Sequence, residues 1–293
     1  MTMATYGATA KQDATRFRAK TAGWRKVVHV IVLVVLVVVS LGLPFYLLFI
    51  TAAKNQSEAL QLSLSLPTEW HFWDNVKTVI TQGEMIPAFF GSLIVTVPSV
   101  LLSLIFGSMA SWILARRATK PMAVVYSLCI SGLILPPAVV TVMMLLKMIG
   151  MSGTVIGMIC VYVGIYLSTV IFFVTGFIRT IPISLEESAR LDGAKPLRIF
   201  FTIVFPLLGP TMAAATILLV LYIWNDVFYA LFILSGNVDT LPLNLYNVAS
   251  AGLHLNNWHL IFAYIIVMSI PLLAVFAVAQ KRIISGITGG AVK

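Results

Sequence analysis

The sequence predicts an all-α membrane protein with six transmembrane helices and both termini on the cytoplasmic side. Three observations carry this. The 293 residues are 60% hydrophobic and 10% charged, with a mean hydropathy of +1.01, whereas a soluble domain carries about a quarter charged residues. Six apolar stretches, five of them without a charged residue, are each long enough to cross a ~30 Å hydrocarbon core at 1.5 Å per residue. The basic residues alternate in density between the connections on the two sides. The net charge of +9 does not point to nucleic acid, because the cations flank apolar spans and form no patch interleaved with aromatics.

Residues 1–26 form a polar tail in which Lys11, Arg16, Arg18, Lys20, Arg25 and Lys26 face one acid, Asp13. Nothing in it can build a core, so it reads as a disordered cytoplasmic tail. Residues 27–280 make the transmembrane domain. Its first span is 27–50, too long for the apolar part of a signal peptide. A polar connection from Lys54 to Pro87 follows, with Trp70, Phe72 and Trp73 at an interface. The second span, 88–114, carries Gly91, Ser92, Gly107, Ser108, Ala110 and Ser111, small positions that let helices approach closely in lipid. It ends on Arg116, Arg117 and Lys120.

The third span, 122–146, is interrupted by Pro136-Pro137, which is either a packing kink or a break facing a water-filled path. The fourth, 154–178, has a polar stripe of Tyr162, Tyr166, Ser168 and Thr169. The fifth, 211–234, holds Trp224-Asn225-Asp226. Asp226 is the sole acid in any of the six apolar segments, and an ionisable residue there is by default a functional candidate. Ser235 to Asn257 is an outer, turn-rich loop. The sixth span, 258–280, has Pro271 as a kink, with His254 and His259 at its outer mouth, too few for a metal site. Residues 281–293 are a cytoplasmic tail. Cys129 and Cys160 sit inside apolar segments as packing residues, without disulfide or metal spacing.

Orientation follows from charge. The N-tail holds six Lys and Arg, the 116–120 turn three, the 179–198 loop four and the C-tail three, so 16 of 19 lie on one side. By the positive-inside rule that side is cytoplasmic.

The loop 179–210 is the long connection richest in charge: Glu186, Glu187, Arg190, Asp192, Lys195 and Arg198 fall within 13 positions. Ser184 with Glu187 spells a capping box, Glu186 stands four residues before Arg190 for an ion pair, and Gly193 supplies a left-handed helix stop. Lys195-Pro196 opens a second helix, amphipathic until Pro206 and Pro210. The acids read as a solvated helix face, since no partner acid or pocket accompanies them.

Glu187-Ser188-Ala189, Gly193, Ile203 and Pro206, with their spacing, resemble the EAA loop of ABC importer permeases. Ser188 replaces the usual first Ala, and Phe205 stands where Leu is usual. The 224–226 string and the tail QKRIISGITGGAVK resemble the carbohydrate, maltose-type branch. The resemblance covers spans two to six and implies a type I importer permease of a bacterial inner membrane, not an enzyme. It implies that Ser184, Glu186, Glu187, Ser188, Ala189, Arg190, Asp192 and Gly193 form a coupling helix docking on an ATPase. The implied partners are a second related permease, two cytoplasmic ATPase subunits that use ATP and Mg, and an extracytoplasmic solute-binding protein meeting the 235–257 loop. The implied cargo is a sugar or oligosaccharide, with alternating access as the mechanism. Asn225, Asp226 and Tyr229 are candidates for the substrate path or a gate, or for structural anchoring. No catalytic, metal or cofactor-binding residues are identified in this chain. Two alternatives stay open: a permease of the same class for another small solute, and an ion-coupled secondary transporter using Asp226.

Overall fold

The computed structural model describes residues 24, 26–134, 138–234, 236–250 and 257–291. Most of the N-terminal tail, Pro136-Pro137 and His254 lie outside them. The described residues are almost entirely helical: α1 (Lys26–Ala53), α2 (Phe72–Gln82), α3 (Met85–Arg116), α4 (Lys120–Ser131), α5 (Val139–Met148), α6 (Val155–Ile178), α7 (Ser184–Leu191), α8 (Pro196–Leu207), α9 (Gly209–Trp224), α10 (Phe228–Ile233), α11 (Leu241–Ser250) and α12 (Trp258–Ala291). Four of these, α1, α3, α6 and α12, are long and apolar enough to cross a bilayer, and the bent pair α8–α9 makes a fifth candidate. The chain is a multi-pass membrane protein.

The centre is the pair α3 and α6, which pack along their length. Small residues make this possible. A Cβ on Gly107 would fall 2.6 Å from Val170 Cγ1, so only glycine lets the two backbones approach this closely. Ser111 is buried beside it and returns its hydroxyl to Gly107 O at 2.6 Å, so its own donor is paired inside the apolar interface. α9 lies against α3, α6 and α12, and α12 in turn holds the end of α1 and α2. Along its apolar window α1 is fully exposed and burial begins only near Ile50.

The connection after α1 is tied into the fold. Asn75 Nδ2 donates to Ala52 O and Lys54 O, both at 2.9 Å, pairing carbonyls that the helix end leaves open. Lys54 is buried and its Nζ donates to Ser63 O at 2.7 Å. Glu58 accepts from the Thr68 hydroxyl and backbone, which holds its carboxyl below the usual carboxylate range.

Two expectations are corrected. The fifth span does not run to Leu234 as one helix: α9 stops at Trp224, and α10 restarts at Phe228. The helix that holds the sixth candidate span, Trp258–Val278, continues to Ala291. Cys160 is exposed and Cys129 half-buried, because an apolar residue in a span packs as readily against lipid as against protein. The third predicted span is occupied by two shorter helices, α4 and α5.

Candidate functional site

The α7 helix is short, and both of its ends are set by local chemistry. At its C-terminus Gly193 has φ +79°. Its N–H donates to Arg190 O at 3.0 Å, and the Ala194 N–H reaches Ala189 O at 2.9 Å. These two bonds are the Schellman pattern, and a non-glycine residue in that conformation is strained. The N-terminus departs from expectation. Ile183, not Ser184, is the cap, and its carbonyl accepts from the N–H groups of Glu186 and Glu187 at 2.9 and 3.1 Å. Ser184 is the first helical residue, and no side chain caps the helix. A capping box needs an extended Ser, and the chain enters α7 already helical.

Glu186 is the second departure. It is 1% exposed, so it does not belong to a solvated face. Arg116 Nε donates to Oε1 at 2.8 Å, and Trp112 Nε1 donates to Oε2 at 3.0 Å. Arg116 Nη2 also donates to Ile181 O at 2.9 Å, just before α7. Arg190, the partner expected from spacing, is looser, 3.8 Å from Oε2. A buried carboxylate is tolerable only when paired and hydrogen-bonded, and here both oxygens are used. The result is a tether from the last turn of the spanning helix α3 to the first turn of α7.

The opposite face of α7 is open. Glu187, Ser188, Asp192 and Gly193 are exposed, Arg190 is exposed on the Glu186 side, and Ala189 packs half-buried on the core. Leu185 and Leu191 are exposed too, Leu191 to 89%. The helix is thus held from behind and carries bare leucines beside charges in front.

The second candidate cluster lies at the break between α9 and α10. Asp226 Oδ2 accepts from the Tyr162 hydroxyl at 2.8 Å and from Ala230 N at 3.1 Å, and Oδ1 accepts from Tyr229 N at 3.4 Å. The carboxylate thus caps the restarted helix, which is why the span is broken there. Tyr229 meets the Tyr162 ring edge-on at 6.4 Å, and Tyr166 stacks on Tyr222 at 5.8 Å. Asn225 stands apart, its amide donating to Leu221 O within its own helix at 2.8 Å. Trp224 is a core residue, with Nε1 donating to Met268 O at 3.3 Å.

Trp112 and Arg116 were not legible as site residues. They lie 74 and 70 positions from Glu186, and the only signal was a basic residue one turn past a tryptophan at a span end. Tyr222 was also missed, one more aromatic in an apolar helix. Among the described residues no group of three His, Cys, Asp or Glu side chains could hold a metal ion.

Residues 103–289 match the family described as the binding-protein-dependent transport system inner membrane component. The chain is 37% identical over 264 residues to the melibiose/raffinose/stachyose import permease protein MelC of Bacillus subtilis, covering 86% of this chain and 91% of that one. It is 31% identical over 256 residues to a probable starch degradation products transport system permease protein, AmyC, of Thermoanaerobacterium thermosulfurigenes, covering 85% and 91%. In fold it resembles a chain of a bacterial ABC transporter involved in the import of alginate, with a TM-score of 0.74 at 21% identity over 87% of this chain and 95% of that one.

Proposed function

The chain belongs to the family of binding-protein-dependent transport inner membrane components, and from that premise we propose that it is the permease subunit of a bacterial ABC importer for a sugar or oligosaccharide. The observation that carries the coupling role is the two-faced α7: tethered behind through Glu186 to Arg116 and Trp112, open in front at Leu185, Glu187 and Leu191. Force applied to the open face by a closing ATPase pair would pass directly into α3.

In this reading the chain crosses the inner membrane six times, through α1, α3, α4 with α5, α6, α8–α9 and α12. Its termini and α7 lie in the cytoplasm, in keeping with the charge asymmetry. Two separate ATPase subunits hold ATP and Mg and perform the hydrolysis. A second, related permease completes the pathway, and the bare apolar length of α1 is available to it or to lipid. An extracytoplasmic binding protein delivers the cargo. A carbohydrate is supported by the relatives, named for melibiose, raffinose and stachyose and for starch products. Asp226, Tyr229 and the surrounding tyrosines form the substrate path or its gate, since aromatic faces suit sugar rings. The ion-coupled alternative is disfavoured, because both oxygens of Asp226 are taken up by Tyr162 and the start of α10.

Proteoliposomes containing the complete complex test this. Accumulation of labelled raffinose or a maltooligosaccharide should require ATP on the α7 side and the binding protein on the other. Accumulation driven by an ion gradient without ATP would contradict it.

A further inference from the structure

Between the end of α3, α7 and the start of α8 lies a cavity of about 550 Å³, bordered on one side by the tether residues Trp112 and Arg116. Its wall has two chemistries. Met109 and Ile113 of α3 and Leu197 of α8 make it apolar, while Arg116, Arg117 and Arg190 bring three guanidinium groups, and no carboxylate lines it. Glu186 neutralises Arg116 at 2.8 Å and stands 3.8 Å from Arg190. The Arg117 side chain is exposed and has no hydrogen-bonding or ionic partner among the described residues. One buried carboxylate therefore faces three cations.

The two chemistries are separated by depth. Met109 lies seven residues before Arg116 on one helix, about 10 Å deeper along its axis at 1.5 Å per residue. With α3 as a spanning helix, Arg116 and Arg117 stand at its end and Met109 lies about two turns further in, while Leu197, next to Arg198, sits at the level of the cations. A soluble anion would satisfy the arginines and leave that wall empty. An apolar helix would fill the wall and leave two guanidinium groups unpaired. An amphipathic anion matches both, and planar guanidinium groups bind phosphate bidentately.

We propose that this cavity seats an anionic phospholipid, with its phosphate on Arg117 and Arg190 and an acyl chain along Met109, Ile113 and Leu197. The lipid then joins the end of α3 to α7 beside the Glu186 tether, so the docking helix is held partly by the bilayer. The inference needs only that α3 spans the membrane, and it stands apart from the identity of the cargo.

The test is native mass spectrometry of the complete detergent-purified complex, equilibrated with equal mole fractions of phosphatidylglycerol and phosphatidylcholine. Wild type should retain phosphatidylglycerol preferentially. Arg117→Gln should lower that retention about fivefold, as expected for removing one interfacial arginine, and leave phosphatidylcholine unchanged. Lys195→Gln removes an exposed charge outside the cavity and should change neither. Equal retention of the two lipids, or undiminished phosphatidylglycerol on the Arg117 variant, overturns the proposal. Displacement of the lipid by excess inorganic phosphate would make this a soluble-anion site and also overturn it. A cross-link from Ile113→Cys to the partner permease would show that a subunit fills the cavity, with the same consequence. Subunit stoichiometry is read in the same spectra, so loss of the complex is distinguished from loss of the lipid.

Discussion

Glu186 and Arg116 are 70 positions apart in the chain, yet Oε1 of one lies 2.8 Å from Nε of the other, with the carboxylate buried and the guanidinium largely so. One residue belongs to a loop helix and the other ends a spanning helix, so the pair fixes the position of a peripheral element relative to the membrane core.

Removing either partner leaves a buried charge uncompensated, at a cost of about 3–5 kcal/mol. Arg116→Ala and Glu186→Ala should therefore each destabilise the purified complex strongly. Their combination should cost little more than either alone, because the second change removes the stranded charge. Thermal unfolding of the three variants measures this; additive losses would mean that the residues act independently.

Gly193→Pro should leave the protein inserted but uncoupled. Proline fixes φ near −65° and has no N–H, whereas Gly193 sits at φ +79° and donates to Arg190 O. In proteoliposomes, sugar accumulated per ATP hydrolysed should fall. An unchanged ratio would remove Gly193 from the coupling path.

Asp226→Asn retains an oxygen that can accept from Tyr162 and the start of α10. Uptake should stay dependent on ATP and insensitive to protonophores, with a loss of at most about tenfold if one of these bonds, each net ~1 kcal/mol, is weakened. Tyr162→Phe should be the worse substitution, since it withdraws a donor 2.8 Å from a carboxylate oxygen. Protonophore-sensitive uptake by wild type would favour the ion-coupled alternative.

Gly107→Val should push α3 and α6 apart. Its Cβ alone would fall 2.6 Å from Val170 Cγ1, and overpacking of this kind costs about 1–3 kcal/mol. A lowered midpoint of thermal unfolding with unchanged membrane insertion is the expected outcome.

The spans were legible because hydrocarbon imposes length and apolarity directly on the sequence. The end of α7 was legible because the left-handed turn at Gly193 favours one residue type. Its orientation was not. Helical spacing places Glu186 and Arg190 on one face, but whether that face looks to solvent or inward depends on Arg116 and Trp112, brought in by tertiary packing. The break at residues 225–227 was hidden for a similar reason: hydropathy runs on through Leu234, and the capping of α10 by Asp226 depends on backbone geometry. Hydropathy likewise says that Cys160 lies in a span, but not whether it faces protein or lipid.

The most direct measurement is co-purification from mildly solubilised membranes, comparing wild type with Glu187→Lys. Glu187 is exposed on the open face of α7, so charge reversal should spare the fold and disrupt docking. Recovery of an ATPase subunit with wild type, and its loss with Glu187→Lys, is the predicted result. Absence of an ATPase from the wild-type preparation, or equal recovery with both proteins, would contradict the assignment of α7 as the docking helix.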